Sequence, residues 1–354
     1  MVPIRRQLTR LAALVAATFA LAGCALIEID DAALTTFNPA GPNARRLDGL
    51  FWMVFWIATA VFILVMLGIL VAIFLFRDRG KPDAKEPKQL HGSAKLEVLW
   101  TVIPALILAA IAVPTISAVF DLTGCEDNSM RVEVIGHQWW FEYHYPDYGF
   151  DTANELVMPV DEEVCLEMTS EDVIHNFWVP AIHGKRYLVP GQTTLLRFEA
   201  DRTGEFQGHC AEFCGLSHSL MRTRVHVVTR AEFDVWAAAQ QTVAAVPEEG
   251  TPAWEGLQIY RTRCIQCHTV DFGEDHELSV VIPPAAFNGP NLTHFASRDT
   301  FAGAVLPERG ESHQDALRRW LADPPRTKPG SFMPNLGLTA QEIEHLVAFL
   351  EGNQ

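Results

Sequence analysis

Two long apolar runs stand in the N-terminal part of the chain. Residues 50–76 carry no charge, and a second run extends from about residue 96 to residue 120. Each run is long enough to cross a hydrocarbon layer of about 30 Å as a helix. Residues 77–95 between them hold six basic and three acidic side chains, a bias typical of a cytoplasmic loop. The pattern predicts two transmembrane helices, at about 50–76 and 96–120, with both long flanks outside the cytoplasm.

A shorter apolar run, residues 11–21, lies at the N-terminus behind three arginines. A basic start followed by a run too short to span a bilayer predicts a signal peptide over residues 1–24. The run ends in Leu-Ala-Gly-Cys, the pattern of a bacterial lipoprotein cleavage site with Cys24 as the lipidated new N-terminus. Ordinary cleavage and an uncleaved membrane segment are the alternatives.

From residue 130 onward, apolar and polar residues alternate in short segments. A period of two is typical of strands, and turn dipeptides at Pro146-Asp147 and Pro190-Gly191 separate some of these segments. Several short strands without a convincing helix predict an antiparallel sandwich or barrel. The strands are predicted at 131–135, 164–168, 193–199 and 223–228.

The last hundred residues have a helical pattern. Residues 231–253 pass from a short helical stretch into a linker rich in Pro, Glu and Gly. Beyond the linker, helices are predicted at 254–263 and 340–350. The fold class is therefore a multidomain membrane protein with a two-helix transmembrane hairpin, an all-β sandwich or barrel and an all-α domain. The predicted parts are 1–24 (signal peptide), 25–122 (N-terminal segment and membrane helices), 123–230 (β domain), 231–253 (linker) and 254–354 (α domain).

Charge and cysteine content narrow the choice of function. The net charge of −16 argues against nucleic acid as a partner. Of the seven cysteines, Cys125 and Cys165 have no role in the motifs described below, and a disulfide between them is plausible outside the cytoplasm. We expect five histidines to be structural or surface residues rather than ligands: His137, His144, His183, His209 and His226.

The segment 208–221, GHCAEFCGLSHSLM, carries soft metal-ligand chemistry. It holds two thiols (Cys210 and Cys214), an imidazole (His218) and a thioether (Met221). This mixture favours copper over zinc, because zinc sites rarely include methionine. Two thiolates at this spacing can bridge a pair of copper ions, which then needs one more imidazole, and His175 is the best candidate. The alternative is a structural disulfide between the two cysteines.

A second motif, Cys264-Ile265-Gln266-Cys267-His268, is the pattern of covalent c-type haem attachment. The two thiols would bind the haem and His268 the iron. Met333 is the only methionine after the motif, which makes it the natural second axial ligand. Four histidines are its rivals: His276, His294, His313 and His345.

These motifs carry a family resemblance. The copper segment together with His175 resembles the binuclear CuA site of cytochrome c oxidase subunit II, and residues 254–354 resemble a class I cytochrome c. The resemblance implies a cupredoxin fold with Cys210 and Cys214 as bridging thiolates. It implies one copper held by each of His175 and His218, with Met221 and the Glu212 carbonyl as weak ligands.

The same resemblance assigns roles to three further side chains. The Glu212 side chain would reach a magnesium ion shared with subunit I. Trp139 corresponds to the residue where electrons enter from cytochrome c. Glu97 corresponds to a glutamate at the mouth of a proton channel through subunit I. The family commonly has Trp at the position of Phe141, and it often has carboxylates, which dock soluble cytochrome c, where this chain has His144 and Tyr187.

The function implied is that of an electron-transfer subunit in a bacterial inner membrane. Haem c would accept electrons and CuA would pass them to haem a of subunit I, where oxygen is reduced to water and protons are pumped. The implied partners are subunits I and III, cytochrome c or the bc1 complex as donor, and membrane lipid.

Other functions stay open at this point. A CuA and haem c subunit of a nitric oxide reductase is one alternative, whereas the two N-terminal spans with Glu97 argue against a nitrous oxide reductase. A membrane-anchored copper delivery protein is another, although the haem motif argues against it. A quinol oxidase subunit II would lack the copper-binding thiols.

Overall fold

A computed structural model describes residues 34–77, 92–273 and 289–353. The predicted signal peptide, Cys24, most of the cytoplasmic loop and His276 lie outside the described residues. The chain divides into two compact units, one formed by residues 45–124 and the other by the rest of the described chain.

The first unit consists largely of two long helices, α1 (Pro42–Leu75) and α2 (Ala94–Asp121). Both are long and apolar enough to cross a membrane. Helix α1 begins eight residues before the predicted start, because its polar first turns do not register in an apolar pattern although Pro42 is well suited to a first helical position. Arg46 near the start of α1 forms an ion pair with Asp121 at the end of α2.

Ten strands form the core of the second unit. They pair in two five-stranded sheets, ordered β3-β2-β1-β5-β8 and β4-β10-β9-β6-β7. One apolar core contains buried residues from both sheets, so the arrangement is the predicted sandwich. The strands are β1 (Met130–His137), β2 (Trp140–Tyr145), β3 (Phe150–Ala153), β4 (Glu155–Pro159), β5 (Val164–Ser170), β6 (His175–Trp178), β7 (Arg186–Leu188), β8 (Thr194–Phe198), β9 (Gly204–Cys210) and β10 (Arg222–Val228).

The alternation of apolar and polar residues in the sequence corresponds to an alternation of buried and half-buried side chains in the strands. Along β2, Phe141, Tyr143 and Tyr145 are buried while the residues between them are only half-buried. The expectation of purely antiparallel strands is wrong for two pairs, since β1 runs parallel to β5 and β4 parallel to β10. The two strands of each parallel pair are distant in sequence. The chain between them forms other strands of the two sheets, so the connection is long enough for a parallel arrangement.

Helix α3 (Arg230–Gln240) follows β10 and is the short helical stretch predicted at the start of residues 231–253. A capping box between Thr229 and Glu232 fixes its start. Phe233 and Ala237 on α3 are part of the sandwich core. The first half of the predicted linker is therefore packed against the sandwich.

The C-terminal part is helical, as predicted. Helices α4 (Pro252–Arg263) and α7 (Ala340–Leu350) cross closely, and a Cβ on Gly256 would lie only 2.1 Å from the His345 carbonyl oxygen. Glycine at this position permits the crossing. Among the described residues between them lie the short helices α5 (His313–Ala322) and α6 (Pro324–Thr327). Leu257, Tyr260 and Phe349 belong to a second apolar core, separate from that of the sandwich.

Cys125 and Cys165 form a disulfide, which confirms that hypothesis. Cys165 is completely buried in β5, and Cys125 is the first residue of the chain after α2 that belongs to the second unit. The bridge closes a loop with a sequence separation of 40 residues.

We expect the double substitution Cys125→Ser/Cys165→Ala to lower the free energy of unfolding of the sandwich by about 4 kcal/mol, the loop-closure entropy of a loop this long. Chemical denaturation of the intact protein in detergent, followed by tryptophan fluorescence, measures the change. Copper content should stay unchanged, because neither residue lies at the metal site. Free thiols at both positions in the native protein would contradict the assignment.

Candidate metal and haem sites

Two neighbouring strands bring the predicted copper ligands together. β9 ends at Cys210, and β6, which begins at His175, pairs with it through Phe177 opposite Cys210. The Cys210 N–H donates to the Met221 carbonyl (2.9 Å), which closes the loop between β9 and β10. This loop, residues 211–221, is the copper loop, and it presents its side chains at the end of the sheet, next to His175.

The side chains on this loop converge on one region. The two sulfurs lie 3.8 Å apart, and His175 Nδ1 is 3.9 Å from the sulfur of Cys210. The sulfur of Cys214 is 3.6 Å from His218 Nδ1 and 3.9 Å from Met221 Sδ. The Glu212 carbonyl oxygen lies 3.2 Å from the sulfur of Cys210.

The arrangement suits a pair of copper ions. The two cysteines, His175 and Met221 are buried, and the ligand atoms of His175, Cys210 and Cys214 lie within 4.8 Å of one another. The two sulfurs are apart rather than bonded, so the alternative of a Cys210–Cys214 disulfide is wrong. Buried soft donors with imidazole nitrogens on both sides match the preferences of copper.

The two thiols influence each other's protonation. Hydrogen bonding with Cys214 lowers the pKa of Cys210, while the same contact and burial raise the pKa of Cys214. The contact thus favours a thiolate at Cys210 and a protonated thiol at Cys214. Metal binding requires both sulfurs as thiolates, so it would release that proton.

Asp172 orients the imidazole of His175. Its carboxylate lies 2.8 Å from His175 Nε2 and also accepts hydrogen bonds from the N–H groups of Gln138 and Val173, both at 2.6 Å. Although burial lowers the pKa of His175, the hydrogen bonds and charges of Asp172 and Cys210 raise it overall. With Nε2 engaged, Nδ1 is the nitrogen that faces the sulfurs. Such a partner fixes the ring and increases its basicity as a ligand.

Trp139 lies directly against the copper loop. It is 6% exposed, and its indole N–H donates to the Cys214 carbonyl at 3.0 Å. The side chain of Gln138 donates to the same oxygen at 2.6 Å. His209, although adjacent to Cys210, packs on Trp178 instead, since neighbouring residues of a strand face opposite sides.

The haem motif begins where helix α4 ends. Cys264 is the C-cap of α4, and the N–H groups of Cys267 and His268 both donate to its carbonyl. His268 Nδ1 lies 2.8 Å from the Pro290 carbonyl, which leaves Nε2 for a metal. A Cβ on Gly289 would lie 2.4 Å from the His268 ring, so this loop fits closely against the imidazole.

Met333 packs against the same apolar core as Cys264 and the loop residue Leu292. Two of its rivals are engaged elsewhere, because His294 lies 3.0 Å from the Thr242 carbonyl and His313 lies 2.7 Å from the Glu351 carboxylate. The pairing of His268 with Met333 as the two axial ligands stays a prediction.

Some functional side chains could not be recognised from the sequence. Asp172 looks like an ordinary turn residue, although its position three residues before His175 is a usable signal. Lys328 and Phe332 lie against Trp139, and no pattern in the sequence marks them. Glu97 lies in the first turn of α2 and is exposed; its role stays a prediction.

Comparison with known proteins decides the family. The profile for cytochrome c oxidase subunit II, periplasmic domain, matches residues 149–228, and that for its transmembrane domain matches residues 31–118. A cytochrome c profile matches residues 253–354. Cytochrome c oxidase subunit 2 of Alkalihalophilus pseudofirmus is 34% identical over 346 residues, which cover 94% of this chain and 93% of that relative.

The chain is a member of the cytochrome c oxidase subunit II family.

Two further proteins are similar to this subunit II. Cytochrome c oxidase subunit 2 of Bacillus sp. (strain PS3) is 35% identical over 291 residues, 78% of this chain and 79% of that relative. The crystal structure of the periplasmic domain of subunit II of cytochrome oxidase (CoxB) of Bradyrhizobium japonicum is 31% identical. The structural match covers 34% of this chain and 97% of the Bradyrhizobium japonicum chain, with a TM-score of 0.32.

Family membership confirms several expectations. This subunit II belongs to a haem-copper oxidase complex and has subunit I as a partner. Its cofactors are CuA copper and haem c. The fold class is confirmed, as is a location in a bacterial inner membrane with the soluble domains outside. The ligand roles of individual residues and the domain boundaries stay predictions.

We expect Asp172→Asn to weaken copper retention roughly 10–100-fold, because the neutral amide keeps the shape but no longer supports the ring as a charged acceptor. Copper loss to a competing chelator, followed through the CuA absorption and metal analysis, measures it. Asp151→Asn is the matched control. Asp151 also pairs with a histidine, His144, at 2.5 Å, but this pair does not belong to the copper loop. Equal copper retention in both variants would rule out the orienting role of Asp172.

Proposed function

We propose that this chain is the subunit through which electrons enter a haem-copper terminal oxidase. Cys264, Cys267 and His268 would hold haem c, and the residues of β6 and of the loop after β9 would hold CuA. Both groups would supply the one-electron chemistry that links an outside donor, cytochrome c or the bc1 complex, to haem a of subunit I. There oxygen is reduced to water, and protons are pumped.

One observation carries the proposal: the segment that precedes Met333 lies directly on the copper loop. Ser217 on that loop donates a hydrogen bond to the Pro329 carbonyl, and Trp139 lies between Cys214 and the segment. The predicted copper ligands and haem ligands thus belong to one compact unit, in which the segment leading to Met333 contacts the copper loop. An arrangement of this kind supports electron transfer within the chain.

The chain's own residues position the metal-ligand atoms and exclude water from them. The pairing of β6 with β9 in one sheet holds His175 and Cys210 in a fixed relation, and both cysteines are almost completely buried. Both metal groups supply one-electron redox chemistry when bound. A rigid, dry site needs little rearrangement when its charge changes, which favours fast transfer.

A groove of about 550 Å³ beside the copper loop is the proposed contact with subunit I. Phe213 on its rim is 77% exposed, an unusual state for a large apolar side chain. Glu212 lines the same groove, and its side chain is the proposed ligand of a magnesium ion shared with subunit I. The groove is lined by Val173, Ile174, Tyr187, Val189, Glu212 and Phe213.

Proton uptake and further partners complete the proposal. Glu97 lies in the N-terminal turn of α2, the cytoplasmic end in the predicted topology, where a carboxylate can pass protons towards subunit I. Subunit III and membrane lipid are the remaining proposed partners.

We expect Cys214→Ser to abolish the copper pair and reduce oxygen consumption by the purified complex to background. Reduction of haem c by an external donor should keep its wild-type rate, because the haem motif is untouched. An oxygen electrode and stopped-flow absorption at the haem c band measure the two steps separately.

The Cys125→Ser/Cys165→Ala variant is the control, because it removes cysteine sulfurs elsewhere and leaves the copper loop intact. Full oxygen consumption by Cys214→Ser would contradict the copper relay. A wild-type complex that reduces nitric oxide and not oxygen would contradict the proposed substrate.

A further inference from the structure

We propose that Phe332 is the side chain through which the haem domain (the predicted α domain, residues 254–354) makes electronic contact with Trp139. Lys328 is the positioning residue that holds this contact. The inference rests on the proposed function and deepens it. The residues concerned lie in one stretch, 328–333, which ends at the proposed iron ligand Met333.

Phe332 stacks on Trp139. The ring centroids are 5.5 Å apart and the planes differ by 22°, so the two faces are in contact. Close approach requires Gly330, where a Cβ would lie 3.1 Å from Trp139 Cη2 and 3.1 Å from Leu216 Cβ. The backbone at Gly330 has a φ of +84°, a second reason for glycine at this position.

The stacked rings complete a short route between the two sites. Phe332 is covalently bonded to Met333, and on the other side the Trp139 indole N–H donates to the Cys214 carbonyl at 3.0 Å. Electronic coupling decays steeply across gaps and slowly along bonds and close contacts. The route contains one ring contact and one hydrogen bond, and every other step is covalent.

Lys328 fixes the backbone of Trp139. It is only 4% exposed, and its Nζ donates to the carbonyls of Trp139 (2.5 Å) and Ala302 (2.9 Å). Burying an amine is unfavourable unless its hydrogen bonds are satisfied, so a lysine at this position indicates a specific role. Burial lowers the pKa of Lys328 to about 7, and both the amine and the ammonium can make the two bonds.

A separate contact keeps the haem domain on the sandwich without Lys328. Glu155 at the start of β4 is 6% exposed and accepts hydrogen bonds from the Thr300 N–H (2.5 Å), the Thr300 hydroxyl (2.6 Å) and the Asp299 N–H (3.2 Å). We therefore expect substitutions at positions 328 and 332 to alter the Trp139 contact while the domains stay docked.

The test uses the intact oxidase complex carrying Phe332→Leu, Phe332→Tyr or Lys328→Met. Flash-induced reduction gives the rate of electron transfer from haem c to CuA. Redox titration gives the midpoint potentials of both centres, and pulsed paramagnetic resonance gives the distance between them. The matched control is Lys185→Met, which removes the same charge from an exposed lysine packed over Trp178.

We expect Phe332→Leu to slow the transfer by an order of magnitude or more, with both potentials and the distance between the centres unchanged. Phe332→Tyr, which keeps the ring, should restore the rate. Lys328→Met should slow the transfer at an unchanged distance, whereas Lys185→Met should leave it unaffected.

Wild-type transfer in Phe332→Leu would overturn the inference, even if the oxidase works as proposed. A shifted haem potential in that variant would also overturn it, because the side chain would then act through Met333 rather than Trp139. A wild-type complex in which no electron passes from haem c to CuA would overturn the proposed function itself.

Discussion

The pairing of β6 with β9 is the contact on which the copper site depends. His175 and Cys210 are 35 residues apart in sequence, and the hydrogen bonds between these strands bring them together. Because side chains alternate along a strand, a slip of one residue would turn one of them to the other face of the sheet. The loop after β9 can supply two thiols, an imidazole and a thioether by itself, but the imidazole opposite them comes only from correct strand pairing.

This difference between local and distant contacts explains what the sequence could predict. The copper loop and the haem motif are local, so their spacing alone showed which side chains can converge. The apolar runs likewise predicted α1 and α2, except that the polar first turns after Pro42 carry no such signal. His175 was the best candidate for the further imidazole that a copper pair needs, and the family resemblance then assigned it the same role.

Apart from the Cys125–Cys165 disulfide, where two cysteines without another role suggested the pair, contacts between distant segments could not be predicted. In the sequence, Glu155 and Lys328 look like ordinary surface charges, since nothing in their neighbours indicates that another domain will cover them. The parallel pairing of β1 with β5 was missed for a related reason, because alternation predicts a strand and not its partner. Asp172 is an intermediate case: it is close to His175 in sequence, but only the bend before β6 directs its carboxylate to the ring.

Glu155 and Lys328 together explain how the haem domain can sit in one orientation. Each is a buried polar side chain that bonds to peptide groups across the boundary, Glu155 to N–H groups and Lys328 to a carbonyl. A displaced domain would leave both side chains buried without these bonds, which is costly. Apolar contact alone tolerates sliding, so the two polar contacts supply the specificity of docking.

The packing of α3 on the sandwich limits how far the haem domain can ever travel. Only residues 241–251 separate the end of α3 from the start of α4, and a chain of that length reaches roughly 40 Å when fully extended. A domain restrained in this way cannot shuttle between neighbouring complexes in the membrane. In the proposed relay, each oxidase would thus have its own attached electron carrier, and only the reduction of haem c would depend on a diffusing donor.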